Sequence, residues 1–177
     1  MSLLRIRLFG DPVLKSRAHE VTEFDDALER LADDMMATMR AADGAGLAAT
    51  QVGVLKRLFT WEAREESGAF VNPEILDTSE EVEESDEGCL SFPGLFYPTK
   101  RPLRVSLRIQ DVHGEEHKIE AATPLQARIF LHEIDHLNGI LFIEHLKRHD
   151  RKDAMRRIRN GELEHPPPRP PGEPPPA

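Results

Sequence analysis

The ten residues from Phe130 to Gly139 read FLHEIDHLNG and contain two histidines, His132 and His136, about one helical turn apart. Residues four positions apart lie on the same face of an α-helix, so both imidazoles can bind one metal ion. Glu133 directly follows the first histidine, and from there its carboxylate can reach a water molecule at that metal. Catalytic metal sites usually have three protein ligands. The stretch therefore predicts a central metal-binding helix whose third ligand lies elsewhere in the chain.

Independent signals place this stretch on a helix. Thr123 and Pro124 are residue types favoured at the N-cap and the first position of a helix, and Asn138 followed by Gly139 is typical of a helix end. We therefore expect the helix to run from residue 124 to about residue 138.

The chain before this helix mixes helical and extended patterns. Between about Asp25 and Ala42, apolar residues recur every three or four positions, which predicts an amphipathic helix. Val54–Ala63 and Phe70–Leu76 read as two strands of a hairpin or meander. Leu103–Asp111 alternates apolar and polar residues, and Glu116–Ala121 reads as its returning partner.

The chain after residue 146 contains a basic segment followed by a proline-rich segment. Lys147–Arg159 contains seven basic and two acidic residues, and we predict a basic C-terminal helix over 147–161. Residues 166–177 contain eight of the fourteen prolines and predict a disordered or polyproline tail. We therefore predict one catalytic domain over 1–165 of the α+β class. In it, antiparallel β-sheets pack around the central metal-binding helix, with one N-terminal and one C-terminal helix.

Composition narrows the functional class. The net charge of -9 argues against a general nucleic-acid binder. However, eight acidic residues are concentrated between Glu74 and Glu87, so another surface of the protein can still be basic. That acidic run suits a solvated loop or a charged edge strand. Cys89 is the single cysteine, which excludes an internal disulfide and fits a reducing compartment. We find no signal peptide and no run of membrane-spanning length, so we expect a soluble, cytoplasmic protein. We also expect it to be a monomer.

Small residues crowd together in Gly44–Gln51, which reads GAGLAATQ. Glycines that bind phosphates normally follow a strand and open a helix, whereas here the helix precedes them, so nucleotide binding is disfavoured. By residue pattern alone, the segment reads as a tight connection from helix to strand.

The third metal ligand can be sought by spacing. One metalloprotease class has a third histidine where this chain has Phe142, so that class is disfavoured. Glutamates downstream of the helix offer alternatives: Glu144, Glu162 and Glu164. Cys89 is the best remaining candidate, because a thiolate with two imidazoles leaves an open position for a reactive water. Histidines that only form hydrogen bonds, or a structural site completed by His145, remain alternatives, but neither explains Glu133.

Three motifs together resemble those of the peptide deformylase family. They are GAGLAATQ at 44–51, EGCLS at 87–91 and HEIDH at 132–136, in the same order and with comparable spacing. The resemblance covers roughly residues 5 to 160. It implies a hydrolase that removes the formyl group from the N-formylmethionine of nascent polypeptides and releases formate.

The resemblance also implies roles for individual residues. It implies three ligands for one divalent metal ion, Fe²⁺ natively with Zn²⁺, Ni²⁺ or Co²⁺ as substitutes: Cys89, His132 and His136. It implies that Glu133 takes a proton from a metal-activated water, which then attacks the formyl carbon. The negative oxygen that develops would be stabilised by the metal, the side-chain amide of Gln51 and the backbone N–H of Leu90.

For the substrate, the resemblance implies a peptide backbone lying as an added strand beside Gly44, Ala45 and Gly46. We assign Leu125 and Ile129 to an apolar slot for the methionine side chain, although both could equally be core residues. We expect Arg128 either at the rim of this slot or in a structural ion pair. We expect Glu87 to orient Cys89 or a basic neighbour.

Two features depart from the family pattern. The family's usual glutamine before the first histidine is Leu131 here, on the side away from the metal. Where some members carry an arginine that holds the peptide, this chain has Leu95-Phe96-Tyr97, so that edge is more apolar.

The basic segment 147–159 resembles the family's C-terminal helix, which in some members docks on the ribosome, and RNA phosphate is the expected counterpart. A solvated charged face is the alternative.

Overall fold

The structure, a computed structural model, describes residues 1–163. Its helices are α1 (Asp26–Ala41), α2 (Pro124–Leu137) and α3 (Arg148–Arg159). Its strands are β1 (Gly46–Ala48), β2 (Leu58–Ala63), β3 (Glu66–Thr78), β4 (Val82–Cys89), β5 (Phe92–Pro102), β6 (Val105–Gln110) and β7 (Glu116–Glu120). The proline-rich tail predicted at 166–177 and the last two residues of the predicted domain lie outside the described residues.

The strands form two antiparallel sheets. The larger has the order β1-β2-β3-β6-β7, and the smaller consists of β4 and β5. The predicted pairs are present, since β2 with β3 and β6 with β7 are neighbouring antiparallel strands. The prediction of an α+β fold with antiparallel sheets around a central helix is confirmed.

Helix α2 begins and ends as its sequence predicts. The Thr123 hydroxyl accepts a hydrogen bond from the backbone N–H of Gln126 at 3.2 Å, and Pro124 occupies the first position. After the helix, Gly139 has a φ of +72°, and a Cβ there would lie 2.6 Å from the carbonyl oxygen of Lys15. Only glycine fits this close approach, so the N-terminal segment can pack against the end of α2.

Helix α2 is the centre of the molecule, since eleven of its fourteen residues are buried. One side packs on the larger sheet, where the Phe130 ring lies 4.9 Å from Trp61, 5.2 Å from Phe70 and 6.1 Å from Phe59 between centroids. Leu131 belongs to the same apolar cluster. The aromatic contacts therefore hold this side of α2 in place while its histidines lie toward the smaller sheet.

Helix α1 covers part of the larger sheet through a second apolar cluster. The Asp25 carboxylate accepts a hydrogen bond from the Leu28 N–H at 3.0 Å and caps the helix. Met35 and Met39 are fully buried, which supports their reading as core residues. No helix within residues 1–163 has both the length and the apolar character that crossing a membrane requires.

The smaller sheet was only half predicted. The acidic run does form a charged strand, β4, whose Glu83 and Glu84 pair with Arg101 and Lys100 on β5. Strand β5 itself was missed, because the turn-forming types at Pro93 and the residues around it concealed an eleven-residue strand. This strand brings Arg101 beside the metal-binding helix.

Candidate metal centre

Three side chains with metal-binding atoms converge where β4 ends against α2. The Cys89 sulfur lies 3.2 Å from Nε2 of His136, which lies 3.2 Å from Nε2 of His132. All three ligand atoms lie within 4.8 Å of one another. One sulfur and two imidazole nitrogens aimed at a single point suit a borderline or soft divalent metal, with a further position left open. The residues therefore fit a bound metal ion.

The ring of His132 is held by a buried carboxylate. Oε2 of Glu87 lies 2.8 Å from Nδ1 of His132, which leaves Nε2 of that ring directed at the metal position. Glu87 also accepts hydrogen bonds from Arg101 at 2.8 and 3.0 Å and from Arg128 at 3.1 Å. The carboxylate is thus the centre of a buried charge network that orients a ligand.

The network continues to the protein surface. Nη1 of Arg101 donates a hydrogen bond to Oδ2 of Asp135 at 2.7 Å. Nε2 of the partly exposed His145 lies 2.8 Å from the same oxygen, so the network reaches the surface there. Arg128 donates to the carbonyl oxygens of Thr99 at 2.8 Å and Glu83 at 3.0 Å, so it ties α2 to both strands of the smaller sheet. Sequence reasoning anticipated Glu87 and Arg128 but missed Arg101, whose role depends on β5.

The charges of the network set the pKa values of the centre. Burial alone would raise the pKa of Glu87, but hydrogen bonds from His132 and Arg101 hold it well below its usual range. Burial would lower the pKa of His132, but hydrogen bonds with Cys89 and Glu87 have the larger combined effect and raise it. Burial and the positive charge of His132 lower the pKa of His136.

Glu133 lies in an unusual environment beside the ligands. Its side chain is 3% exposed, and Oε2 has no hydrogen-bond partner within residues 1–163. Burial raises the pKa of Glu133 to about 7, despite the opposing positive charge of His132. A Cβ on Gly46 would lie 2.4 Å from Oε1 of Glu133, so the carboxylate packs directly against the backbone of β1. Glu133 is therefore a buried carboxyl group with close packing against the larger sheet.

Gln51 and Leu90 lie beside the cysteine. Oε1 of Gln51 accepts a hydrogen bond from the Ala48 N–H at 2.9 Å, which fixes which end of the amide is the donor. Nε2 then donates to the Ser91 hydroxyl at 3.1 Å and lies 3.5 Å from the Cys89 sulfur. Leu90 follows Cys89 directly and lines the same cavity. An amide donor thus lies next to the Cys89 sulfur, and Leu90 lines the cavity beside it.

A cavity of about 630 Å³ opens in front of these groups. Its lining includes all five residues that the sequence assigned to substrate binding: Gly44, Ala45, Gly46, Leu125 and Ile129. Leu125 is 47% exposed at the mouth, whereas Ile129 is buried. Phe96, which the sequence marked as a departure from the family pattern, lines the cavity and is 65% exposed.

The alternative ligands are used elsewhere. The Phe142 ring packs against His132, with centroids 6.1 Å apart. Glu144 accepts a hydrogen bond from the Leu141 N–H at 2.7 Å and pairs with Lys15 at 2.9 Å. Glu162 pairs with an arginine of α3, and His145 bonds to Asp135. Glu164 lies outside the described residues.

The Cys89 thiol on β4 and the two histidines of the His-Glu-x-x-His helix thus form a candidate metal centre of the kind found in metal-dependent hydrolases, and the buried Glu133 lies beside it. The sequence profile of the polypeptide deformylase family matches residues 3–152. The chain belongs to this family, and it is therefore an enzyme, as predicted.

Named relatives agree over most of the chain. The peptide deformylase of Thermotoga neapolitana is 48% identical over 147 residues, which are 82% of this chain and 88% of the relative. That of Clostridium botulinum is 51% identical over 145 residues, covering 81% and 97% respectively. A crystal structure of peptide deformylase from Ehrlichia chaffeensis in complex with actinonin superposes with a TM-score of 0.86 at 38% identity, covering 93% of this chain and all of the other.

Proposed function

We propose that this enzyme removes the N-formyl group from the N-formylmethionine of nascent polypeptides and releases formate. The observation that carries the proposal is the cluster of Cys89, His132 and His136 beside a cavity that Cys89, His132 and the unpartnered carboxylate of Glu133 line. Membership of the polypeptide deformylase family supports the same reaction.

Cys89, His132 and His136 would hold one divalent metal ion, and we propose Fe²⁺ as the native ion, with Zn²⁺, Ni²⁺ or Co²⁺ as substitutes. When bound, the ion acts as a Lewis acid toward water and toward the formyl oxygen. Glu87 holds the His132 ring in the orientation that this binding needs.

Glu133 is the proposed general base. Its Oε2 has no partner within residues 1–163, so a lone pair is available to accept a proton from the attacking water. Burial raises the pKa of Glu133, which makes its carboxylate a stronger proton acceptor than that of an exposed glutamate. The same oxygen can then return the proton to the nitrogen that leaves from the formyl carbon.

The oxygen of the formyl group gains negative charge as the bond to the carbon forms. We propose that Nε2 of Gln51 and the N–H of Leu90 donate to it. The 3.5 Å contact between Gln51 and the Cys89 sulfur is long and weak, so a charged oxygen beside the sulfur would replace it. A single donor of this kind typically contributes about 2.7 to 4 kcal/mol to transition-state stabilisation.

The peptide backbone is proposed to extend the larger sheet. Within the described chain, β1 pairs with β2 on one side only, which leaves its other edge available for an extended peptide. Gly44 and Gly46 flank this edge and line the cavity, so the added strand can come close.

The methionine side chain needs an apolar slot beside the metal position. We propose that Ile129 forms its inner wall and Leu125 its mouth. Arg128 also lines the cavity, but its charge is paired with Glu87, so it does not make the slot strongly cationic.

A formyl-methionyl peptide assay with separate detection of formate and of peptide fragments tests the proposal. Formate without internal cleavage is the expected result. Internal cleavage would identify a peptidase, and no product would identify an inert metal-binding module. The variant Glu133→Gln should retain its metal, because Glu133 is not a ligand, and should lose turnover; retained turnover would contradict the assignment of the base.

We also propose that the enzyme is a cytoplasmic monomer and that the basic side of α3 binds RNA phosphate on the ribosome. Arg148, Arg151 and Lys152 are exposed, whereas Ala154 is buried and Asp153 accepts a hydrogen bond from Tyr97 at 2.8 Å. Since α3 is anchored in the core, the test neutralises the three basic residues to glutamine rather than deleting the helix. Unchanged co-sedimentation with ribosomes at low salt would contradict the proposal.

A further inference from the structure

A second cavity, of about 430 Å³, shares no lining residue with the substrate cavity. Its lining consists of Arg17, Ala18, His19, Glu20, Arg57 and Asn72. It therefore carries two guanidinium groups and one imidazole against one carboxylate. None of these side chains has a role in the reaction proposed above.

Two chain segments build this cavity side by side. The backbone N–H of His19 donates to the carbonyl of Leu55 at 3.0 Å, and the N–H of Arg57 donates to the carbonyl of His19 at 2.9 Å. His19 and Lys56 form a parallel bridge. Backbone hydrogen bonds thus hold Arg17 and His19, two positions apart on one segment, beside Arg57 on the other.

The guanidinium of Arg57 is fixed but not neutralised. Nη1 donates to the carbonyl of Leu137 and Nη2 to the side chain of Asn138, both at 3.0 Å. These bonds use two of its five N–H donors and leave three. Within residues 1–163, neither Arg57 nor Arg17 forms an ion pair with a carboxylate at 4.0 Å or less.

The two arginines repel one another. Burial lowers the pKa of Arg57, the charge of Arg17 lowers it further, and Glu20 opposes these effects with a smaller contribution. A negative charge placed between the guanidiniums would relieve this repulsion. The arrangement is therefore that of an anion site rather than of a closed ion-pair network.

We propose that this cavity binds a phosphate group that keeps a proton, such as inorganic phosphate at neutral pH. The guanidiniums of Arg17 and Arg57 donate to its oxygens, as guanidinium groups commonly do to phosphate. His19 is a further donor at the rim. The carboxylate of Glu20 accepts a hydrogen bond from the phosphate O–H, an interaction that sulfate, which has no such proton, does not offer.

The test is calorimetric titration of the full-length, metal-loaded enzyme with sodium phosphate and with sodium sulfate at matched ionic strength. We expect saturable binding of one phosphate, tighter than sulfate. Arg17→Gln should weaken it by about tenfold or more, because a hydrogen bond to a charged group is typically worth that much. Glu20→Gln should remove the preference for phosphate over sulfate. A titration with a phosphomonoester distinguishes free phosphate from phosphate carried on a larger molecule. A phosphomonoester, with a second pKa of about 6, has largely lost its proton at neutral pH, so it should bind more weakly than inorganic phosphate. Tighter binding of the phosphomonoester would overturn the role proposed for Glu20.

Arg30→Gln is the matched control, since Arg30 is an exposed arginine on α1, away from this cavity. Arg17 and Glu20 are also exposed, so thermal unfolding in chloride should be unchanged in their variants. No saturable heat with the wild-type protein would overturn the proposal, as would equal weakening by Arg17→Gln and Arg30→Gln. Phosphate that binds at the metal centre instead would inhibit deformylation and survive Arg17→Gln, and that result would also overturn it.

Discussion

Replacing Gly46 by alanine tests whether the position of Glu133 controls the reaction. The new Cβ would lie 2.4, 2.8 and 2.9 Å from Oε1, Cδ and Cγ of Glu133, whereas ordinary contact begins at 3.4 Å. The β1 backbone cannot simply retreat, because Gly46 is paired with Trp61 in the sheet. The carboxylate must therefore move by about 1 Å, the difference between 3.4 and 2.4 Å.

A displacement of this size has a predictable cost. Misplacing a reacting group by about 1 Å can reduce the rate about a hundredfold, which corresponds to about 2.7 kcal/mol of transition-state free energy. We expect Gly46→Ala to lower kcat by about that factor, measured as formate release from a formyl-methionyl peptide. Metal content should be unchanged, because the three atoms nearest to the new Cβ all belong to Glu133, which is not a proposed ligand.

Gly68→Ala provides the control. Gly68 is the partner of Trp61 on the other neighbouring strand, and a Cβ there would meet Trp61 Nε1 at 3.1 Å and no residue of the site. This variant should keep nearly full activity. If Gly46→Ala retains metal and its kcat stays within about twofold of the wild-type value, the reasoning about Glu133 is wrong.

Three further outcomes follow from the same structure. Glu87→Gln should weaken metal affinity by about 10- to 100-fold in competition with a chelator, because the carboxylate orients His132. Burial would raise the pKa of Glu144, but its hydrogen bond from Leu141 and a nearby lysine hold it below the ordinary value of 4.5. Its stabilising contribution is therefore complete above pH 4.5 and is lost as the pH falls below that value, so Glu144→Gln should flatten the acid side of the stability profile. Asp25→Ala removes the cap of α1 and should lower the free energy of unfolding by about 1 kcal/mol in urea titrations.

Each of these outcomes has its own control. Loss of metal by Glu87→Gln is meaningful only if the variant still unfolds cooperatively, since it also removes the counter-charge of Arg101. Glu120→Gln, on the exposed strand β7, should leave the acid side of the profile as it is. For α1, Asp26 lies in the first turn without capping it, and Asp26→Asn should cost only a few tenths of a kcal/mol. Equal losses from the Asp25 and Asp26 variants would contradict the assigned cap.

Local sequence was sufficient to predict most elements of the fold. The helix from Pro124 to Leu137 carries its own start and stop residues, so its bounds follow from Thr123 and Gly139. Apolar and polar residues likewise alternate along β6, and in the structure the burial of its residues alternates in the same way. Strand β5 was missed because Pro93 and its neighbours are typical of turns, and pairing with β4 overrides that preference.

The sequence by itself determined the chemistry on α2, because His132, Glu133 and His136 are brought together by helical spacing alone. With the three motifs, it also identified the family and nominated Cys89 as the third ligand. Only the tertiary structure decided how those groups are held. The pairing of β4 with β5 places Arg101 against Glu87, and the packing of β1 against α2 places the backbone of Gly46 against Glu133. These contacts join residues far apart in the chain, and long-range packing of this kind leaves no local periodicity from which it could be predicted.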